Sequence, residues 1–325
     1  MSAPAIESAG PATTSAVAIG GAIDIGSNSV HLLVALLGPG WMEPLRDTSE
    51  LLGLGDTVDQ YAEIPADARA RVIDVLRAYV KTAQRSHAER LTLIGTEPLR
   101  RARNTPVLSD EIWEATGLQL RVLTEREEAI LTFVGVTRGE MPGSPLIVVD
   151  IGGGSTEVSR WTPGEALRID SIPIGSSRLS NAIVEHDPPT KDELDALFRA
   201  AAAATAGLRH SISSGSGASA GVQAIFVGGT ATNVARLGRL TRDALAGDRK
   251  TLAKLPVAAV TARYNVKPRR ARQLAAGVAI VDALLDTYGL DGAEVSDASL
   301  RDGAIICAAR YGDGWADSLE KLASG

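Results

Sequence analysis

The chain is poor in the residues that build covalent and metal frameworks. Among 325 residues there is one cysteine, Cys307, and there are four histidines. A lone cysteine excludes a disulfide framework and suits a reducing compartment, so the expected location is cytoplasmic. The histidines, at positions 31, 87, 186 and 210, are scattered without the spacing of a metal site. No Ser-His-Asp order suggests itself, and Cys307 lies in an apolar helical pattern that reads as packing rather than as a nucleophile. Long hydrophobic runs are also missing; none reaches the ~20 residues needed to span a bilayer. Excess positive charge is absent as well. With 33 Lys and Arg against 39 Asp and Glu, the net charge is −6, which argues against bulk attraction to nucleic acid or to an anionic membrane. A polyanionic ligand would therefore need a local basic patch. Residues Met1 to Ala16 lack a basic start and an apolar stretch, and read as a disordered tail rather than a signal peptide.

What the chain does have is glycine, 33 residues of it, concentrated in two loops that echo each other. They are Asp24-Ile25-Gly26-Ser27-Asn28-Ser29 and Asp150-Ile151-Gly152-Gly153-Gly154-Ser155-Thr156. Each follows a β-branched run (Ala22-Ile23; Leu146 to Val149) and leads into a second extended run (Val30 to Val34; Glu157 to Ser159). The pattern predicts two hairpins whose tips lack side-chain bulk and begin with a carboxylate. Glycine lets backbone N–H groups converge on an anion, and an aspartate at a strand end can hold a hard cation through oxygen. Either loop alone is more often a plain tight turn. The pair, each led by aspartate after a strand, points to phosphate or metal-phosphate gripped from two sides.

Length and a 45% apolar content predict two domains with substantial cores. Strands and helices alternate, which reads as α/β. The first strand pair is followed by a third strand or loop over Thr48 to Gly55 and a helix over Pro65 to Ser86. A buried strand, Leu91 to Ile94, is broken by Gly95-Thr96, and Pro98 opens a short helix carrying Leu99, Arg100, Arg101 and Arg103. A helix over Asp110 to Ala115 and a strand over Leu120 to Leu123 complete this half. Gly139 to Pro145 is the clearest punctuation and a candidate hinge. The pattern then restarts with the triple-glycine hairpin and a helix over Lys191 to Leu208. Next comes a Ser/Gly/Ala stretch, Ser211 to Gly221, that reads as a flexible surface loop. A strand over Ala224 to Val227, a turn at Gly228-Gly229-Thr230 and a helix over Ala231 to Leu240 follow. The chain closes with helices over Ala271 to Tyr288 and Asp302 to Arg310 around a short strand, Ala293 to Val295. Two halves sharing an opening hairpin suggest a duplicated domain with a cleft between the copies.

Other candidates carry two readings each. Gly229 and Thr230 lie between a strand and a helix, where free N–H groups favour an anion; the alternative is a simple turn with a threonine cap. Thr124 and Glu127 fit a capping box, which leaves Glu128 either free to face a cleft or part of a solvated charge run. Arg100 is a phosphate-clamp candidate, whereas Arg101 and Arg103 read as a solvated basic face. Lys267, Arg269, Arg270 and Arg272 open a helix where their charge opposes the dipole, and read as a surface patch or as a guide for a polyanion. His31 reads as core or cleft-lining.

Taken in order, these motifs closely resemble the exopolyphosphatase/guanosine pentaphosphate phosphohydrolase (Ppx/GppA) family of the actin–hexokinase–Hsp70 superfamily. The matching pieces are Ala22 to Ser29, Leu99-Arg100, Glu127-Glu128-Ala129, Val149 to Glu157, Gly175 to Leu179, Gly228 to Thr232 and Val295 to Asp297, which span about residues 20 to 310. The resemblance implies two ribonuclease-H-like domains flanking a central active-site cleft, with residues 17–138 plus 302–325 in one domain and 139–301 in the other. It implies that Glu128 matches the general base, that Asp150 and Glu157 are the magnesium-associated acids, and that Arg100 contacts phosphate; the mechanism expected from this adds Asp24, with Mg²⁺ or Mn²⁺ held near Asp24, Asp150 and Glu157. Ser27, Asn28, Gly153, Gly154, Ser155, Gly229 and Thr230 would complete the phosphate cradle. The implied activity is processive, metal-dependent release of orthophosphate from polyphosphate ends, with guanosine pentaphosphate as another substrate. The resemblance is compatible with a homodimer, for which the sequence shows no heptad or exposed stripe. Rival readings are an ATP-dependent kinase of the same superfamily and a silent sensor of polyphosphate or (p)ppGpp. Some positions depart from the family pattern. Ile130 stands where an arginine often follows Glu-Ala, and Ser299 and Asp302 replace a usual Gly and Glu. The chain also ends after the two-domain core, so a weaker grip on long polymers is expected.

Overall fold

The computed structural model describes residues 17–211 and 222–324. The expected tail and residues 212–221 of the Ser/Gly/Ala stretch lie outside the described residues. Two sheets organise the chain, and each opens with one of the glycine hairpins. In the first half, β1 (Ala18–Ile25), β2 (Ser29–Gly38) and β3 (Trp41–Leu51) form an antiparallel meander. Helices α1 (Leu54–Tyr61) and α2 (Ala66–Arg85) follow, then β4 (Arg90–Gly95), α3 (Glu97–Arg101), α4 (Thr105–Thr116), β5 (Leu120–Val122) and α5 (Glu125–Thr137). Strand β4 joins β1 in parallel and β5 joins β4, giving the order β3-β2-β1-β4-β5.

The second half repeats this plan. Strands β6 (Leu146–Ile151), β7 (Thr156–Trp161) and β8 (Arg168–Ile172) form a second antiparallel meander, followed by α6 (Ser176–Ile183) and α7 (Lys191–Thr205). Then come β9 (Gln223–Val227), α8 (Gly228–Val234), β10 (Leu240–Thr241), α9 (Arg242–Leu252), α10 (Val257–Tyr264), α11 (Pro268–Thr287) and β11 (Gly292–Val295). The sheet order is β10-β11-β9-β6-β7-β8, with β9 parallel to β6 and β11 parallel to β9. Apart from the extra edge strand β10, it is the topology of the first sheet. The likeness of the two loops thus extends to whole sheets. Helices α12 (Leu300–Tyr311) and α13 (Leu319–Ala323) close the chain, and α12 returns to lie on β1 and against α5.

Physical pattern explains the layering. Strand β6 is Leu-Ile-Val-Val-Asp-Ile with all but Asp150 buried, the continuous apolar run of a strand covered on both faces. Helix α11 buries most of its length, from Ala271 to Thr287; it packs against α6, α7, α8 and α9 and anchors the second core. Helices α5 and α12 cross unusually closely because each contributes a glycine. A Cβ on Gly303 would fall onto the Leu131 carbonyl, and one on Gly135 onto the Ser299 carbonyl.

Several expectations need adjustment. The third strand begins earlier, at Trp41, and the following residues coil into α1, where Leu54 and Val58 are buried. The helix after Gly229 starts at Gly228 and stops at Val234. The helix foreseen over Asp110 to Ala115 starts at Thr105, with Pro106 in its first turn. Ile130 sits in the core among Leu33, Leu131 and Ala304 and presents nothing to the cleft. Ser299 and Asp302 prove to be partners: Ser299 caps α12, and Asp302 accepts from the Ser299 backbone N–H at 2.9 Å. Arg138 also pairs with Asp302 at 2.8 Å. Among the described residues, no helix is long and apolar enough to cross a membrane.

Candidate active site

The two hairpins match rung for rung. Asp24 pairs across from His31, and Asp150 across from Glu157. In each tip the first glycine donates its N–H to the serine carbonyl three residues on, Gly26 to Ser29 and Gly152 to Ser155, both at 3.0 Å. The tips meet face to face. Asn28 of the first loop lies against Gly153 of the second, where a Cβ on Gly153 would collide with it. A Cβ on Gly154 would collide with Glu97 and come within 3.0 Å of Ser27 Oγ. Bare glycine therefore permits the approach.

Between the tips lies a cavity of about 140 Å³, roughly ten times the ~10–15 Å³ that a single water requires. Its walls hold Asp24, Ser27, Asn28, Glu128, Asp150, Gly153, Gly154, Ser155, Glu157, Gly229 and Thr230. Eleven of the twelve residues expected to form the site thus converge. Arg100 is the exception: it stands behind the wall and forms an ion pair with Glu128 through Nη1, which also donates to the Leu123 carbonyl at 2.8 Å. A buried carboxylate needs a counter-charge, and that need fixes Arg100 away from the cavity surface.

Each element has a reason to deliver its side chain. Thr124 caps α5 by accepting the Glu127 N–H at 3.2 Å, while Glu127 accepts the Thr124 N–H at 2.7 Å. The cap uses Glu127, so Glu128 is the first-turn acid left to point inward. Gly228 has φ +85°, and a Cβ there would strike the Asp150 carboxylate. The third glycine element is therefore needed to seat Asp150. Thr230 donates to the Gly152 carbonyl at 3.1 Å and shares a 2.8 Å contact with Ser176 Oγ, so its hydroxyl props the second loop. Asn28 Oδ1 accepts from Gln273 Nε2 at 3.4 Å and from Arg269 Nε at 3.3 Å, which ties the first loop to α11.

Three charged residues of the wall were not foreseen as site residues: Glu97, Arg270 and Arg301. Arg270 came from a basic cluster whose alternative reading was a surface patch. Its guanidinium lies beside Gly229, burial lowers its pKa to about 10, and neighbouring Arg269 adds to the effect. Arg269 itself crosses to Asp56 at 2.5 Å. The legible signal was positive charge in the first turn of a helix, where the dipole disfavours it; Arg301, in the first turn of α12, carries the same signal.

Burial dominates the electrostatics. It raises the pKa of Asp24 to about 7, with Arg301 opposing and Asp150 reinforcing the shift. Asp150 is raised by burial against the Thr132 hydrogen bond and Arg301. Glu157 is raised by burial and by Asp150. Glu128 is raised by burial and by Glu157, with Arg100 pulling it back. His31 goes the other way: burial, then Arg301, lowers it to about 3, so its imidazole is neutral.

These carboxylates fit a hard cation that is only partly caged by protein. Asp24 Oδ1 is buried without a hydrogen-bond partner. Among the described residues, however, no three His, Cys, Asp or Glu side chains are grouped closely enough to hold an ion alone. Magnesium characteristically takes one or two carboxylates and completes its shell with water and substrate phosphates.

The raised pKa values also predict the stability of the metal-free protein. A carboxyl whose folded-state pKa lies above its unfolded value favours folding while protonated. For Asp24, that contribution is complete below the ordinary 3.8 and is lost as pH rises through about 7. Asp150 and Glu157 act in the same direction. Melting in EDTA is expected at a lower temperature near pH ~8 than near pH ~5.5, with added Mg²⁺ narrowing the gap. A protein that melts higher at the alkaline pH would show that the carboxylates are not desolvated as described.

A profile of the Ppx/GppA phosphatase family matches residues 33–311. The protein named exopolyphosphatase 1 of Mycobacterium leprae is 28% identical over 315 residues, covering 88% of this chain and 88% of that protein. A guanosine-5'-triphosphate,3'-diphosphate pyrophosphatase of Vibrio campbellii is 30% identical over 154 residues, 47% of this chain and 31% of its own length. Among solved structures, the Aquifex aeolicus PPX-GPPA enzyme superposes with a TM-score of 0.74 at 26% identity, covering 90% of this chain and 99% of that one. The names of these relatives are those of hydrolases, not of kinases or binding proteins.

Proposed function

The chain belongs to the Ppx/GppA phosphatase family and is a phosphoanhydride hydrolase, and from that premise we propose that it removes terminal phosphates one after another from inorganic polyphosphate, with guanosine pentaphosphate as a second substrate. The observation that carries this reading is the closure of both glycine loops and the Glu128 carboxylate around one cavity. Residues 17–138 with 302–325 form one domain in this reading and 139–301 the other, so substrate binds between them.

Hydrolysis of a phosphoanhydride needs charge neutralisation, alignment and a positioned water more than covalent chemistry. Backbone N–H groups of the two tips and the Arg270 guanidinium receive the terminal phosphate oxygens. Ser27 and Ser155 border the same space, while Asn28 and Thr230 keep the tips in place. Glu128, buried and raised in pKa, accepts the proton of the attacking water. Asp24, Asp150 and Glu157 would hold Mg²⁺ or Mn²⁺. When bound, that ion would neutralise charge on the bridging and leaving oxygens.

A colorimetric phosphate assay over short and long polyphosphates, guanosine pentaphosphate and ATP, with and without Mg²⁺, tests the reading. Phosphate from polyphosphate or guanosine pentaphosphate, and far less from ATP, is expected; none from either substrate with metal present would overturn it. Arg100 gives a further check. Its charge lowers the Glu128 pKa, so Arg100→Gln leaves the base protonated to a higher pH. The acidic limb of the rate–pH profile is expected to move alkaline, with less activity on that limb. An unmoved limb would detach Arg100 from Glu128.

A further inference from the structure

Glu97 is an acid in the wall of a cavity assigned to anions, and the roles above leave it without a purpose. It lies in α3, is 6% exposed, and faces the junction of the two glycine tips. Its Oε2 accepts from Ser27 Oγ at 2.9 Å. Its Oε1 accepts from Arg101 Nε at 2.5 Å and pairs with Arg178 Nη2. A Cβ on Gly154 would collide with Oε2, so the carboxylate rests against the bare turn. A hydroxyl, two guanidinium groups and a glycine turn around one oxyanion are the composition of a phosphate pocket.

We propose that the Glu97 carboxylate occupies an anion subsite formed by Ser27, Arg101, Arg178 and the Gly154 turn, and that a phosphate group of a linear oligophosphate takes its place. The proposal rests on the reading of the cleft as an oligophosphate site. The donors are anchored independently of Glu97. Arg101 also pairs with Asp59 at 2.6 Å, Arg178 donates to the Pro173 carbonyl at 3.0 Å, and the Ser27 carbonyl accepts the Gly55 N–H at 2.8 Å. The seat therefore keeps its shape when the carboxylate leaves. Because Ser27 and Gly154 belong to the tips that hold the terminal phosphate, the seat receives the next phosphate along the chain. Orthophosphate has no group to reach it, whereas tripolyphosphate does. Glu97 thus sets a threshold: a ligand must bring enough phosphate to displace an internal competitor, which favours longer chains.

Calorimetric titration of the full chain in EDTA, with orthophosphate and with tripolyphosphate, tests this directly. Glu97→Gln keeps the shape and removes the competing charge. It is expected to bind tripolyphosphate about tenfold tighter, the size of one charge-assisted contact, while orthophosphate affinity changes less than about twofold. Arg178→Gln is expected to weaken tripolyphosphate about fivefold, and the double variant to lose the gain of Glu97→Gln. Equal or weaker tripolyphosphate binding by Glu97→Gln, or an equal gain for orthophosphate, overturns the proposal. Should Glu97→Gln fail to fold, wild-type affinity in Arg178→Gln overturns it instead. The titration reads binding without turnover. A chain that binds in this pattern yet releases no phosphate would keep the subsite and overturn the hydrolase reading.

Discussion

Glu128→Gln is expected to fold normally, bind polyphosphate and lose phosphate release by ~10²–10⁴-fold, the range of a positioned general base. Glutamine keeps the size of the side chain and a carbonyl oxygen toward the Arg100 guanidinium, so the pocket survives while its proton acceptor does not. The effect belongs in kcat, because the tips and Arg270, the proposed ligand grip, are untouched. Circular dichroism and urea denaturation check the fold, and a phosphate assay reads the rate. Turnover within a few-fold of wild type would remove Glu128 from the chemistry. The four carboxylates would then have to be reassigned, with Asp24, whose pKa lies at about 7, as the next acceptor.

Gly303→Val is expected to destabilise the protein by about 3 kcal/mol, at the upper end of the cost of overpacking a tight interior. Its Cβ would occupy the position of the Leu131 carbonyl, a backbone group that cannot rotate away. Helices α5 and α12 would have to separate, and both lead into the cavity wall, α5 with Glu128 and α12 with Arg301. The urea midpoint and the rate should therefore fall together. Gly143, where an added Cβ meets nothing, supplies the control; Gly143→Ala should stay within about 0.5 kcal/mol of wild type. A Gly303→Val midpoint equal to that of wild type would contradict the helix crossing.

Much of the site was legible because its signals are local. An aspartate at a strand end followed by glycines specifies a hairpin tip from a handful of neighbours, and a Thr-x-x-Glu cap shows which of two adjacent glutamates is committed. What stayed hidden depends on partners remote in the chain. Arg100 resembled a phosphate clamp until the fold set Glu128 beside it, 28 residues later. Arg101 read as a solvated charge, yet it supports Glu97 and Asp59. Arg270 was indistinguishable from Arg269 by sequence. A one-residue step around α11 sends one to the cavity and the other to Asp56, and that choice is made by packing of the buried helix face. Ser299 and Asp302 looked like two unrelated departures, and only the start of α12 shows them to be one reciprocal cap.

The matched ladders of the two sheets have one more consequence. At the same rung, the first ladder sets a neutral imidazole opposite its aspartate and the second sets a carboxyl group. A duplicated architecture would otherwise offer a polymer two interchangeable walls. With the unlike loop residues, this difference distinguishes the two walls, so the cleft has a front and a back.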